Sequence, residues 1–337
     1  MGRSRPASPR TDPDALEVAL DLEGVADELA VRSDIGAEAV VGRWSTPLGK
    51  LARTALAIGL FLLAGAFVCE AFKWLFGDPW RIESFLGTGI AYFHDPPFRL
   101  LQASDRQLPH LWSIASELAN PFQRGSDVTL LQFLAESALF TLRQAVMGFA
   151  LGAAIGIGLA SVFVHSGLAE RAFMPYVVAS QTIPIVALAP LIVILFGFGV
   201  VSVVVVATYL TFFPVTIAQL RGLRSPDPRA LELMRSYGAS RWDTYRKLRL
   251  PASVPYLFTA LKVAATAAIV GAIIGEGPGG VKEGLGKAII SYNQQYITGP
   301  EKLWATLLIA GLTGIVFFLA VRGAEILVLR RRPGPAT

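Results

Sequence analysis

Three consecutive polar residues interrupt a long apolar stretch, and their side chains are the best placed in the sequence to contact a dissolved solute. Ser180, Gln181 and Thr182 are followed closely by Pro184 and Pro190, and each proline removes a backbone hydrogen-bond donor. A lipid bilayer tolerates such a break only where it faces protein or a water-filled cavity. Two interpretations stay open: these side chains line a path for a solute, or they make ordinary hydrogen bonds between helices.

A second apolar stretch carries a weaker version of the same pattern. Tyr209 and Thr211 lie shortly before Pro214, so polar side chains again coincide with an interrupted backbone. We therefore predict a candidate translocation path that draws on both stretches and comprises Ser180, Gln181, Thr182, Tyr209 and Thr211.

No motif in the sequence predicts catalysis, a cofactor or a metal. The three histidines lack the spacing and the cysteine partners of a metal site. The loop GEGPGGVKEGLGK contains a formal G-x-G-x-x-G that starts at Gly275, but a predicted helix precedes it and no Rossmann unit follows. A phosphate-binding loop fails because Ala288 follows Lys287 where serine or threonine is required. We expect no nucleotide site here, so energy for any transport would have to come from another chain.

The composition identifies an all-α membrane protein that crosses the bilayer several times. Of the 337 residues, 53% are hydrophobic and only 16% are charged, against about 25% charged in soluble domains. A spanning helix needs about 20 apolar residues. Six segments qualify: 51–75, 138–163, 173–196, 200–220, 254–275 and 303–329.

Several features inside these spans predict packing and interface contacts. Three glycines, spaced four residues apart from Gly148 to Gly156, would let another helix approach the second span closely. Glu70 and Lys73, three residues apart near the end of the first span, could pair with each other or both reach the membrane interface, and the interface is favoured. Lys262 in the fifth span is expected to extend to the interface.

The distribution of Lys and Arg predicts the orientation of the chain. Basic residues cluster before the first span, between the fourth and fifth, and after the sixth. With six spans these regions share one side, which an excess of Lys and Arg marks as cytoplasmic. Both termini are therefore expected in the cytoplasm, with the protein in a cell membrane. The formal charge of +5 fits this membrane rule better than it fits nucleic-acid binding.

This topology divides the chain into four predicted regions. A cytoplasmic tail, partly disordered or amphipathic, covers 1–46. The first span and a long outward connection cover 47–136. A transmembrane core covers 137–330 and contains a charged cytoplasmic loop at 221–252, and a short cytoplasmic tail covers 331–337.

The charged loop carries signals for two short helices. Asp227 is a suitable N-cap with Pro228 at the first helical position, and Gly238 is the residue type that ends a helix in a left-handed conformation. Ser240 is placed to cap a second helix, and Pro251 to end it. The loop is predicted to be a hairpin of two amphipathic helices, which needs a partner to cover it.

The same loop resembles a family signature. Glu232, Gly238, Leu248 and Pro251 match the motif E-A-A-x3-G-x9-I-x-L-P in the permease subunits of bacterial binding-protein-dependent ABC importers, with the spacing kept in full. The chain departs from the motif where leucine and methionine replace the two alanines and leucine replaces the isoleucine.

The resemblance covers roughly 108–330 and implies the fold of a type I ABC importer permease. The stretch SQTIPIVALAPLIVILFGFG, which begins at Ser180, and the later Gly284-Leu285-Gly286 are similar to one subgroup. Members of that subgroup import nitrate, sulfonates, taurine, or aromatic precursors such as pyrimidines and riboflavin.

In this family the loop is the coupling helix, which docks on a cytoplasmic ATPase. The resemblance also implies an ATPase dimer that binds ATP and Mg, a second permease copy that forms a homodimer, a periplasmic or lipid-anchored solute-binding protein, and surrounding membrane lipid. The chain itself would then be no enzyme. The residues implied at the ATPase contact are Asp227, Glu232, Met234, Arg235, Tyr237, Gly238, Ala239, Ser240, Leu248 and Pro251.

A different class of function would use the same loop. A membrane scaffold or regulator would also recruit a cytoplasmic protein through the hairpin, but it would not move a solute. Uptake into reconstituted vesicles separates these two hypotheses. A third class, an intramembrane enzyme, has no catalytic constellation in the sequence to support it.

Overall fold

Helices make up most of the chain that the computed structural model describes, which is residues 47–78, 80–82, 92–95, 97–98, 104–105, 107–123, 125–281 and 283–330. Both predicted tails, 1–46 and 331–337, lie outside these residues. The helices are α1 Pro47–Phe76, α2 Leu111–Glu117, α3 Leu130–His165, α4 Gly167–Ala179, α5 Ile185–Phe196, α6 Val200–Leu223, α7 Pro228–Ser236, α8 Arg241–Thr244, α9 Leu250–Glu276, α10 Leu285–Gln294 and α11 Pro300–Arg330. A π-helical turn, Tyr245–Arg249, joins α8 to α9, and β1 (Trp80–Ile82) pairs antiparallel with β2 (Tyr92–His94).

Local capping fixes where the long helix α3 begins. The Thr129 hydroxyl accepts a hydrogen bond from the backbone N–H of Gln132, and the Gln132 side chain accepts one from the backbone N–H of Thr129. This reciprocal capping box satisfies two donors that would otherwise lack partners. At its other end α3 gives way to α4, whose N-cap is the side chain of Ser166.

The core is built around α6, which packs between α3 and α9. Ala207 of α6 lies against both neighbours, since a Cβ atom at Gly148 would lie 2.4 Å from its Cβ and one at Gly271 would lie 2.8 Å from its Cα. Further along α3, a Cβ at Gly152 would lie 2.5 Å from the Cβ of Thr211. The predicted packing role of the glycine stripe is confirmed, because these helices can approach so closely only where the side chain is a hydrogen atom.

Five of the helices are long and apolar enough to cross a membrane, with lengths of 24 to 36 residues. The third predicted span differs, because it is not one helix. It consists of α4 with 13 residues and α5 with 12, which correspond to about 20 Å and 18 Å. The hydrocarbon layer is about 30 Å thick, so only the two segments together are long enough to cross it.

The prediction that the charged side chains near the end of α1 reach the membrane interface is wrong for Lys73. Lys73 is 2% exposed and forms an ion pair with Asp105. Glu70 accepts hydrogen bonds from Nδ1 of His110 at 3.0 Å and from the backbone N–H of Leu111 at 2.7 Å. Both side chains instead hold the connection that follows α1, because an ion pair or a hydrogen bond offsets the cost of burying a charge.

The prediction for Lys262 in α9 is also wrong. Its Nζ donates to both carboxylate oxygens of Glu325 in α11 at 2.9 Å. The two side chains are only 17% and 14% exposed, so Lys262 is paired inside the helix bundle. The partner lies 63 residues away in sequence, which no local pattern around Lys262 indicates.

Candidate functional site

The first helix of the charged loop has the capping that the sequence predicts. The side chain of Asp227 accepts a 2.8 Å hydrogen bond from the backbone N–H of Arg229. At the other end of α7, Gly238 has φ of +66° and the N–H of Ala239 donates to the carbonyl of Met234 at 3.0 Å. A Cβ at Gly238 would meet nothing within 4 Å. The backbone conformation therefore favours glycine at this position, whereas the surrounding space would admit a side chain.

The second helix begins as predicted but does not end as predicted. Ser240 caps it by accepting a backbone N–H at 3.0 Å. Pro251 does not end it, because Arg241–Glu276 is one continuous helix of 36 residues. In the π-helical turn the N–H of Leu250 donates to the carbonyl of Tyr245, five residues back. This change of hydrogen-bond register accommodates a proline that offers no N–H.

The residues that the resemblance places at an ATPase contact all lie at the surface of the loop. Apolar side chains are exposed beside them, with Leu233 56%, Tyr237 79% and Trp242 62% exposed. An exposed apolar patch of this kind commonly marks an interaction site. The contact itself stays a prediction. The exposed members are Asp227, Glu232, Arg235, Tyr237, Gly238, Ser240 and Pro251, and the half-buried members are Met234, Ala239 and Leu248.

The two ends of the loop are joined where they enter the core. Nε2 of Gln219 in α6 donates to Oγ of Ser253 in α9 at 3.0 Å, and both side chains are fully buried. Three residues after Gln219, a Cβ at Gly222 would lie 3.0 Å from the Cα of Ser253. The loop therefore rests on a closely packed junction between α6 and α9.

The polar residues of the candidate path lie at the break between α4 and α5, as the sequence predicts. The hydroxyl of Ser180 donates to the carbonyl of Val177 at 2.7 Å, and that of Thr182 donates to the carbonyl of Ala179 at 2.8 Å. The carbonyl of Ala179 also accepts the backbone N–H of Thr182 at 3.0 Å, so both hydroxyls bond to the last turn of α4. Gln181 is exposed, and its amide makes no hydrogen bond within the described part of the chain. Of the three, Gln181 has the side chain most available to a solute.

The remaining two members of the candidate path lie in different surroundings. The hydroxyl of Tyr209 donates to the carbonyl of Ser180, so the structure brings these two residues together. Thr211 is 0% exposed, and its hydroxyl donates to the carbonyl of Ala207 at 2.9 Å. The geometry of Thr211 is that of a residue packed between helices. The path role of all five residues stays a prediction.

A buried carboxylate, Glu276, is not among the predicted site residues. It is 0% exposed at the end of α9. Its carboxylate accepts a hydrogen bond from the Thr141 hydroxyl at 2.7 Å and one from the backbone N–H of Gly286 at 2.6 Å. The same hydroxyl of Thr141 accepts from the N–H of Leu285 at 2.9 Å. Glu276 and Thr141 thus satisfy backbone donors at the start of α10 and join it to α3 and α9.

Close contacts around Glu276 explain why glycines occur at positions 284 and 286. A Cβ at Gly284 would lie 2.5 Å from Cδ of Glu276, and one at Gly286 would lie 2.1 Å from the carbonyl oxygen of Ile273. The Gly-Leu-Gly sequence that resembles the importer subgroup therefore provides the close approach of α10 to α9. The signal in the sequence that could have pointed to Glu276 is a single carboxylate between two glycines at the end of an apolar span.

Comparison with known proteins gives several similar permeases. The chain is 34% identical to the formylaminopyrimidine transport permease protein ThiX of Halalkalibacterium halodurans, over 65% of this chain and 90% of that protein. It is 35% identical to the riboflavin transport system permease protein RibX of Chloroflexus aurantiacus, over 46% of this chain and 57% of that protein. It is 27% identical to the putative aliphatic sulfonates transport permease protein SsuC of Bacillus subtilis, over 57% of this chain and 68% of that protein.

The match to a family extends across most of the helical core. Residues 152–332 match the family described as binding-protein-dependent transport system inner membrane component. The matched range includes the broken span, the charged loop and Glu276, and it covers more than half of the chain. The protein therefore belongs to the family of inner membrane components of binding-protein-dependent transport systems.

Proposed function

We propose that the chain is the permease subunit of an ATP-driven importer and moves a small solute into the cytoplasm by alternating access. The observation that carries this proposal is the exposed amphipathic helix α7, which is followed after one glycine turn by the continuous helix Arg241–Glu276. A partner that displaces α7 would act on a helix that reaches into the core. The partner that fits is a separate cytoplasmic ATPase dimer, which binds ATP and Mg.

The close packing at the base of the loop favours transmission of such a displacement. Because Gln219 and Ser253 join α6 to α9, and because α6 packs tightly on α3 through the glycine stripe, movement at the loop would shift these helices together. Closure of the ATPase on ATP would supply the free-energy difference between the inward-facing and outward-facing states. The proposed coupling residues are those named at the loop surface.

The orientation follows from the basic residues of the loop. An excess of Lys and Arg supports a cytoplasmic position for 221–252, and six crossings, with α4 and α5 as one of them, would put both termini on the same side. The proposed division of the chain is the one predicted from the sequence: 1–46, 47–136, a transmembrane core at 137–330, and 331–337. A second copy of the chain and a periplasmic or lipid-anchored solute-binding protein complete the proposed complex.

The proposed solute is a nitrogen-containing aromatic precursor of the pyrimidine type. Relatives at 34% and 35% identity carry the names formylaminopyrimidine and riboflavin permease, and the aliphatic sulfonate permease is less similar at 27%. The exposed amide of Gln181 at the break between α4 and α5 offers both a donor and an acceptor to the polar edge of such a ring. Sulfonates, taurine and nitrate are the competing solutes.

Transport by reconstituted vesicles tests the proposal. The solute-binding protein that co-purifies with the chain would first be screened with pyrimidine-type compounds, sulfonates, taurine and nitrate by thermal stabilisation. Proteoliposomes that contain the chain, its ATPase and this binding protein should take up the stabilising compound only when ATP is present. A chain that binds the ATPase but supports no uptake of any stabilising compound would instead be a scaffold or regulator.

A further inference from the structure

A basic cavity lies between the charged loop and the end of α3. It has a volume of about 520 Å³ and is lined mainly by Val164, His165, Leu231, Arg235, Arg241 and Arg249. The loop contributes α7 and α8 to its walls, α3 contributes its last turn, and the π-helical turn contributes Arg249. Residues from two separate parts of the chain, the charged loop and the end of α3, therefore surround one space.

The arginines of this cavity have no acidic partner among the residues that the structure describes. No carboxylate lines the cavity. Among the carboxylates near the cavity, Asp243 pairs with Lys247 at 2.8 Å and Glu170 pairs with Arg224. Glu232 of α7 is exposed and does not line the cavity. Three guanidinium groups thus share a cavity without a counter-charge from the described chain.

Helix ends do not supply enough negative charge to balance them. Arg249 donates to the carbonyl of Leu223 at the end of α6 at 3.5 Å, and Val164 and His165 are the last residues of α3. Each helix carboxyl end is equivalent to about −0.5 of an elementary charge. Two such ends offset about one of the three arginine charges, so an excess of about two positive charges is left for a ligand.

We propose that this cavity binds a phosphate group and that the bound phosphate links the charged loop to α3. Guanidinium groups match the oxygens of a phosphate with paired N–H donors. Nδ1 of His165 donates to the carbonyl of Ser161 at 2.7 Å, so the ring presents Nε2 as its second polar atom, which donates when the ring is protonated. A single inorganic phosphate leaves much of the cavity empty, and a volume of this size suits a larger phosphorylated molecule.

The phosphate could come from a lipid headgroup or from a soluble phosphorylated compound. Trp242, beside the cavity, is 62% exposed and stacks on Tyr245 with ring centroids 5.5 Å apart. Trp242 also belongs to the exposed apolar surface of the loop, so the binding test below has to separate the two sources. The recognised chemistry is the same for both sources, and the site does not depend on the proposed transport function.

Binding to the purified full chain in detergent tests the inference. Sodium phosphate, titrated at constant ionic strength, and dioctanoyl phosphatidic acid should each bind saturably and raise the melting temperature. Arg241→Gln and Arg249→Gln should each raise the Kd for phosphate by about tenfold, which corresponds to about 1.4 kcal/mol, whereas Arg249→Lys should lose less because it keeps the charge. If Arg249→Gln does not fold, Arg241→Gln still tests the proposal, because Arg241 is exposed and its substitution leaves the fold intact.

The matched control is Arg229→Gln, an exposed arginine in α7 that does not line the cavity, and it should leave the Kd unchanged. Phosphatidic acid that competes with phosphate and binds about tenfold more tightly would identify a lipid headgroup as the source. Phosphate binding without competition from the lipid would identify a soluble compound. Absence of saturable binding by both probes, equal binding of dioctanoyl phosphatidylcholine, or an equal loss in Arg229→Gln would overturn the proposal.

Discussion

The hydroxyl of Thr141 in α3 donates a 2.7 Å hydrogen bond to the carboxylate of Glu276 at the end of α9, across 135 residues of sequence. The same pair satisfies the backbone N–H groups of Leu285 and Gly286 at the start of α10. Because Glu276 is fully buried, each of these bonds offsets part of the cost of removing a carboxylate from water. The pair therefore joins three helices through one polar cluster.

Substitution of Thr141 by valine should destabilise the protein. Thr141→Val keeps the shape of the side chain but removes a donor to a buried carboxylate and an acceptor for a backbone N–H, which costs about 2–4 kcal/mol. The check is the thermal inactivation temperature of the purified chain in detergent. Thr259→Val is the matched control, because its exposed hydroxyl only donates to Pro255 in its own helix. An equal melting temperature for Thr141→Val and the wild type would contradict the account of the cluster.

Two glycines of α3 should respond in opposite ways to the same substitution. Gly152→Ala introduces a Cβ 2.5 Å from the Cβ of Thr211, whereas Gly158 has nothing within 4 Å. We expect Gly152→Ala to destabilise the chain by about 1–3 kcal/mol through overpacking. Gly158→Ala should be neutral or stabilising by up to about 1 kcal/mol. Equal melting temperatures for the two variants would show that α3 and α6 are not held this closely.

Local sequence patterns predicted the parts of the fold that depend on neighbouring residues. The cap at Asp227, the positive φ at Gly238 and the glycine stripe of α3 all follow from residue type and spacing. The ion pair of Lys262 with Glu325 and the burial of Glu276 could not be predicted in this way. Their partners lie on other helices, and only the packed bundle brings them together.

The prediction that Pro251 ends a helix was wrong because it considered only the local effect of a proline. A proline removes one hydrogen bond, and the sequence alone suggests that a helix stops there. The chain instead changes its hydrogen-bond register over Tyr245–Arg249 and continues. The broken span shows the converse, since Pro184 does separate two helices. The polar residues Ser180 to Thr182 and the proline that accompany this break are neighbours in sequence, so the break was predictable.

The turn after α7 should tolerate asparagine at Gly238 but not valine. The position has φ of +66° and free space around it, so only the backbone conformation limits the residue. Asparagine enters this region at modest cost, whereas a β-branched residue is strained there by about 1–2 kcal/mol or more. We expect ATP-dependent uptake to be largely kept in Gly238→Asn and reduced in Gly238→Val. Equal uptake by both variants would contradict the proposed importance of this turn.

The exposed amide at the broken span should affect transport kinetics. Gln181→Leu removes a side chain that makes no hydrogen bond to the described protein, and we expect the KM for uptake to rise about 2–10-fold, as for the loss of one hydrogen bond. Thr182→Val should have a smaller effect, because its hydroxyl already donates to Ala179. Unchanged kinetics in both variants would mean that these residues only pack.

The central claim is that the surface of α7 binds a cytoplasmic ATPase, and co-purification from membranes of the natural host measures it most directly. The wild-type chain should retain an ATPase in an equal molar amount. Tyr237→Asp should lose most of it, because it places a charge in the exposed apolar surface around Leu233 and Tyr237. Arg229→Gln, on the same helix but outside the predicted contact, should retain it. Absence of any ATPase from the wild-type preparation, or equal recovery with Tyr237→Asp, would contradict the account.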